Sequence, residues 1–205
     1  MVNAPRAEPC ERQHYDGLRP AVIASLFDAW TAVNPISVVV LAFVTVQRIA
    51  ELVLSRHNTQ RLLAKGAVEV GSRHYPPMVA LHSCWLLGLW LMAPSTAPSR
   101  PLLLLFALLQ GARVWVLATL GERWTTRIIV LPGVPLVRTG LYRIVRHPNY
   151  CIVAAEILLL PLAFGLVGFA LLFTLLNAII LNVRIREEDT ALRQLETSFE
   201  GHVEP

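Results

Sequence analysis

Eleven residues, Gly140-Leu141-Tyr142-Arg143-Ile144-Val145-Arg146-His147-Pro148-Asn149-Tyr150, bring together two phenols, two guanidiniums and an imidazole, with a proline suited to the first position of a helix. The free N–H groups of a helix start attract anionic or polar ligand groups, and Arg143 and Arg146 add cationic donors beside them. The same residues also read as a juxtamembrane basic anchor whose side chains snorkel toward lipid head groups. A second cluster, Arg184-Ile185-Arg186-Glu187-Glu188-Asp189, sets three consecutive acids after two arginines. It reads either as a solvated helix turn or, facing the first cluster, as the acidic half of a site for a zwitterionic ligand.

Two ionisable residues, Arg113 and Glu156, lie inside apolar stretches, where charge is costly and points to function. Glu156 is six positions beyond Tyr150, about 9 Å along a helix. A mutual ion pair or a helix-packing hydrogen bond accounts for the two equally well. His82, Asn177 and Asn182 read as interhelical hydrogen-bonding residues. GxSxG, GxxxxGK[ST], HExxH and GxGxxG are all absent, which sets aside the local signatures of serine hydrolases, P-loop enzymes, zincins and Rossmann binding. The six histidines do not pair at metal-ligand spacing, so no metal is expected.

The elements that position these groups follow from composition. The 205-residue chain is 55% hydrophobic and 16% charged, with net charge +4; soluble domains average about 45–50% apolar and about 25% charged. That excess excludes intrinsic disorder, and three scattered cysteines (Cys10, Cys84, Cys151) exclude a disulfide scaffold. Of the 18 basic residues only Lys65 is lysine, a bias that suggests a GC-rich, bacterial genome. Residues 1–33 are polar, without the pattern of a secretory signal, and read as a tail or surface helix. Residues 34–205 form the membrane domain. Its apolar blocks at about 35–54, 76–93, 101–120, 151–167 and 168–183 predict five spans of an all-α, integral-membrane helical bundle. Arg48 and Glu51 are expected to mark the membrane surface. The connectors carrying Arg56, Arg61, Lys65 and Arg73, and Arg123, Arg127, Arg138, Arg143 and Arg146, together with the C-terminal segment, are assigned to the cytoplasm by the positive-inside rule. Topology thus explains the charge without a nucleic-acid partner.

The frame G-x-Y-x-x-x-R-H-P-x-Y (Gly140, Tyr142, Arg146, His147, Pro148, Tyr150), then an apolar hairpin and R-x-x-x-E (Arg184, Glu188), resembles the isoprenylcysteine carboxyl methyltransferase family and related phospholipid methyltransferases. The resemblance covers about the last 70 residues. It implies an S-adenosylmethionine pocket at the cytoplasmic face, formed by motifs at 134–150 and 184–189. Leu136, Val137 and Tyr142 would line it, Arg146, His147, Pro148, Asn149 and Tyr150 would contact the cofactor, and Glu188, with Glu187 beside it, would hold a polar group of the cofactor. Arg184 would meet the substrate. A carboxylate acceptor needs only orientation by a cation, whereas a ring hydroxyl benefits from a base, for which His147 and Glu156 are the candidates. The chain looks like a bacterial branch of the family, which implies a lipophilic acceptor such as an isoprenylcysteine-like, alkylpyrone or alkylresorcinol compound reached from the membrane lipid. A membrane reductase of the sterol-reductase type using NADPH, and a non-enzymatic scaffold, are the competing readings. The oligomeric state is left open.

Overall fold

The computed structural model describes residues 33–135 and 137–200, so the N-terminal segment read as a tail or surface helix lies almost wholly outside the described residues. Asn34 opens helix α1 (Pro35–Ala64): its side-chain oxygen accepts from the N–H groups of Ile36 and Ser37, and Pro35 takes the first helical position, where a missing N–H costs nothing. There follow strand β1 (Val68–Val70), helix α2 (Tyr75–Met92), helix α3 (Arg100–Leu120), strand β2 (Ile128–Val130), helix α4 (Pro148–Ala163) and helix α5 (Val167–Glu200), with single 3-10 turns at Ser72–His74, Gly121–Arg123 and Gly140–Arg143. The five helices fall on the five apolar blocks of the sequence. Three of them are long and apolar enough to cross a membrane, over Pro35–Ala64, Arg100–Arg123 and Val167–Ala191, and α4 is a shorter apolar helix.

One feature the all-helical expectation lacks is the antiparallel pairing of β1 with β2, Val68 opposite Val130 and Val70 opposite Ile128. The turn between α4 and α5 falls at Gly165, whose φ of +73° is a left-handed conformation that glycine adopts without strain. Pro161, at which the sequence suggests a break, sits inside the last turn of α4.

Leu41 and Val44 of α1, Trp85 and Leu89 of α2, Phe106 of α3, Ile157 and Leu160 of α4 and Phe173 of α5 interlock in one core. The outward faces are also apolar. Val39, Val46 and Val53, Leu104 and Leu108, and Leu171, Leu175 and Ile179 are exposed, a surface suited to lipid rather than water. Hydrogen bonds from Asn34 and Ser37 to the α2–α3 turn, and from Ser99 to Ala163, tie one end of the bundle. At the other end Asn58 of α1 donates to the carbonyls of Gly121 and Trp124, and Arg61 and Lys65 pair with Glu122. Both basic connectors therefore meet at one end.

Arg48 and Glu51 do not mark a membrane surface, because α1 continues past them and turns them inward. Arg48 pairs with Glu51 (2.7 Å) and Glu156 (2.6 Å), while Arg113 pairs with Glu51 (3.1 Å) and grips Glu156 through both Nε and Nη2. Two cations and two anions, contributed by α1, α3 and α4, form a balanced cluster. Gln47 and Gln110 donate to its two carboxylates.

Candidate active site

Helix α4 begins at His147, with Pro148 supplying the fixed φ of a first helical position. The first turn brings Tyr150 back beneath His147, and their rings stack with centroids 5.4 Å apart and planes 20° from parallel. Helix α5 presents Arg184 and Glu188, four residues apart and so on one face, against this turn. The Tyr150 hydroxyl donates to Glu188 and accepts from Arg184 Nε at 2.8 Å. One residue further on, Asp189 accepts from Arg146 (3.1 Å) and bonds His147 Nε2 (3.2 Å). The basic and acidic clusters of the sequence thus face one another directly.

Arg184 is buried, and each of its nitrogens is engaged. Nε donates to Tyr150, Nη1 to the sulfur of Met78, and Nη2 to the carbonyl of Thr126 at 2.6 Å. A guanidinium carries five N–H groups, so donors on Nη1 and Nη2 are left for a further partner. Thr126 is itself fixed from α1, its N–H donating to Ser55 Oγ at 2.8 Å.

Arg146, His147, Tyr150, Arg184 and Glu188 border a cavity of about 670 Å³ between the connector that follows α3 and the inner face of α5. Its walls are apolar where β2 and Leu62, Leu120, Val134 and Val137 stand, and aromatic at Trp124, Tyr142 and Tyr150. Among the described residues six arginines (Arg123, Arg127, Arg138, Arg143, Arg146, Arg184) line it against one carboxylate, Glu188. Glu69 of β1 grips Arg127 through two oxygens and Asp189 holds Arg146, so two of the six are neutralised. Arg127 also lies over the Tyr75 ring, 4.6 Å from its centroid. Burial, reinforced by the negative charge of Glu188, pushes the Tyr142 phenol up to about 12, so it remains a neutral donor at physiological pH.

Of the residues singled out in the sequence, Val137, Tyr142, Arg146, His147, Asn149, Tyr150, Arg184 and Glu188 all line this cavity. Pro148 is buried behind it as the helix start, Glu187 is exposed and is not among the lining residues, and Leu136 lies outside the described residues. Glu156 does not reach the cavity. Its two oxygens accept from Arg48, Gln110 and Arg113 in the bundle interior, the ion-pair alternative read from the sequence, and a carboxylate held by so many donors has no proton-accepting role in the cavity. The residues that sequence reasoning missed are β2, Trp124, the Thr126 carbonyl and Met78. The first carried a signal in the β-branched run Ile128-Ile129-Val130, closed by Pro132-Gly133.

Residues 102–194 match the Isoprenylcysteine carboxyl methyltransferase (ICMT) family. The chain is similar to the uncharacterized protein YpbQ of Bacillus subtilis (strain 168), with 40% identity over 159 residues, covering 75% of this chain and 95% of that protein. It is also similar to an uncharacterized protein of Haemophilus influenzae (strain ATCC 51907 / DSM 11121 / KW20 / Rd), with 30% identity over 156 residues, covering 72% of this chain and 90% of that one. No solved structure matches the chain.

Proposed function

The chain belongs to the isoprenylcysteine carboxyl methyltransferase family and is a membrane methyltransferase, and from that premise we propose that it O-methylates a lipophilic acceptor at the cavity between the α3–α4 connector and α5, with S-adenosylmethionine as donor. The observation that carries this reading is the union of the two motifs, Tyr150 bonded at once to Glu188 and Arg184 at the cavity wall.

The residues present fit such a cofactor. The cavity volume of about 670 Å³ lies inside the roughly 300–1,000 Å³ of small-molecule sites. Bound S-adenosylmethionine supplies an activated methyl group on a positively charged sulfur. Glu188 offers the negative charge that suits a cationic group, Tyr142, His147 and Tyr150 offer aromatic faces, Asn149 offers an amide, and Val137, with Leu136 beside it in sequence, offers apolar contact. Arg146, itself held by Asp189, closes this side.

Arg184 has donors to spare at the cavity wall, and a group held there is oriented by a planar fork that matches a carboxylate or an acidic ring hydroxyl. For an acceptor that arrives ionised, the chain's task is to hold the two reactants in near-attack geometry and keep water away, which supplies several kcal/mol without a covalent nucleophile. A less acidic hydroxyl, as on an alkylresorcinol, requires a base. His147, oriented by Asp189 in the manner of a base held by a third group, is the residue placed to serve. The exposed apolar faces of α1, α3 and α5 allow a lipid tail to approach from the bilayer, and the basic connectors orient the cavity toward the cytoplasm of a bacterial cell.

The test is methyl transfer from radiolabelled S-adenosylmethionine onto a lipid extract of the source organism, with mass spectrometry of the product. A methyl ester or methyl ether on a lipid-soluble acceptor is expected; no transfer to any lipid would refute the reading.

A further inference from the structure

Ser55 stands on α1, outside the residues that match the family, and is buried to 3% exposure. A serine within a helix commonly returns its hydroxyl to a carbonyl of the preceding turn. Ser55 bonds across the molecule instead. Its oxygen accepts from the N–H of Thr126 at 2.8 Å and lies 2.7 Å from Thr126 Oγ1, and the Tyr75 hydroxyl approaches that same Oγ1 at 3.4 Å. Asn58, on the same face of α1, catches the carbonyls of Gly121 and Trp124, so α1 holds the whole lead-in to β2. Thr126 in turn offers Arg184 the carbonyl that Nη2 binds.

The direction of the Arg184 fork is thus set by three partners. Tyr150 lies on the first turn of α4, Met78 has a soft, weakly directional sulfur, and the Thr126 carbonyl is as fixed as its own peptide unit. That carbonyl belongs to the unit shared with Arg127; Ser55 holds Thr126 one unit earlier, at its N–H, and at its side-chain Oγ1, and so anchors the Cα that carries the carbonyl. We propose that Ser55 is a positioning residue for Arg184: through Thr126 it aims the remaining guanidinium donors at the cavity, and with them the anionic group of the acceptor. The proposal rests on the methyltransferase reading above.

The experiment compares the full-length chain with Ser55→Ala, which deletes both bonds to Thr126, and Ser55→Thr, which keeps the hydroxyl. In the labelled methyl-transfer assay at saturating lipid extract, Ser55→Ala is expected to lose about 10- to 100-fold in rate, the scale of a misoriented reactant. Its affinity for S-adenosylhomocysteine stays at the wild-type value, and Ser55→Thr recovers most of the rate. In parallel, modification by phenylglyoxal, located by peptide mass spectrometry, is expected to reach Arg184 faster in Ser55→Ala than in the other two proteins. Wild-type rates of transfer and of Arg184 modification in Ser55→Ala would overturn the proposal, as would a loss of S-adenosylhomocysteine binding as large as the loss of rate. If the wild type transfers no methyl group at all, the methyltransferase reading fails, and the phenylglyoxal comparison still decides whether Ser55 holds Arg184.

Discussion

The Tyr150 hydroxyl is shared between Glu188, to which it donates, and Arg184, from which it accepts at 2.8 Å, so one oxygen joins the start of α4 to two residues a turn apart on α5. Glu188 meets the same motif a second time at His147 Nδ1, 4.0 Å away.

Tyr150→Phe keeps the ring that stacks on His147 and deletes only that oxygen. Arg184 is buried, so leaving its Nε short of a partner costs about 1–3 kcal/mol, whereas the partly exposed Glu188 can turn to water. We expect methyl transfer to fall about 10- to 100-fold, at 1.4 kcal/mol per tenfold, with the thermal unfolding temperature in detergent moved by only a few degrees. Steady-state rates and a thermal melt of the same preparation check both halves.

Glu156 tests the opposite role. It is 1% exposed and sits between two arginines, so Glu156→Ala leaves Arg48 and Arg113 with Glu51 as the one anion between them. Removing one partner of a buried pair costs about 3–5 kcal/mol. The expected outcome is a large drop in unfolding temperature, while the protein that remains folded transfers methyl groups at the wild-type rate. Replacing Arg113 and Glu156 together by methionine should recover much of the loss, because no uncompensated charge is then buried.

Gly140 has a φ of +58°, and a Cβ there would stand 3.0 Å from Thr119 Oγ1 and 3.3 Å from Trp115 Nε1. Both the left-handed backbone and the close approach of α3 require glycine. Gly140→Ala is expected to cost about 1–2 kcal/mol from the backbone alone and to weaken S-adenosylhomocysteine binding by displacing the adjacent Tyr142; isothermal calorimetry measures the second effect.

Asp189 separates the two acceptor classes. Asp189→Asn removes the charge that orients His147 and also frees Arg146. With a ring-hydroxyl acceptor the loss should approach the 10²–10⁴-fold typical of general-base catalysis. With a carboxylate acceptor the rate should change little. Parallel assays on an alkylresorcinol and on a long-chain carboxylic acid decide between them.

Much of this was legible because it is local. The helices follow from blocks of apolar residues long enough for a bilayer, and the frame from Gly140 to Tyr150 is a helix start written in consecutive residues. The facing of the two clusters followed from counting arginines on connectors. What escaped the sequence is set by rotation and long-range contact. Arg48 and Glu51 look like surface markers until α1 is seen to turn them toward α3 and α4. Glu187 and Glu188 differ by one position, which on a helix of 3.6 residues per turn is about 100°, and Tyr150 selects the second. The strands β1 and β2 are three residues each and pair across more than fifty intervening residues, too short a pattern to announce a sheet. The bonds from Ser55 to Thr126 and from Arg184 to Met78 leave no trace in spacing at all.

The central claim, that the cavity bordered by His147, Tyr150 and Glu188 is the cofactor site, is tested most directly by calorimetric titration of S-adenosylhomocysteine into the purified wild-type protein and into Glu188→Ala and His147→Ala, each first shown by thermal melt to be folded. Saturable binding to the wild type with one site per chain, abolished in both variants, is the predicted result. Binding of equal affinity in all three proteins, or none in the wild type, would contradict it.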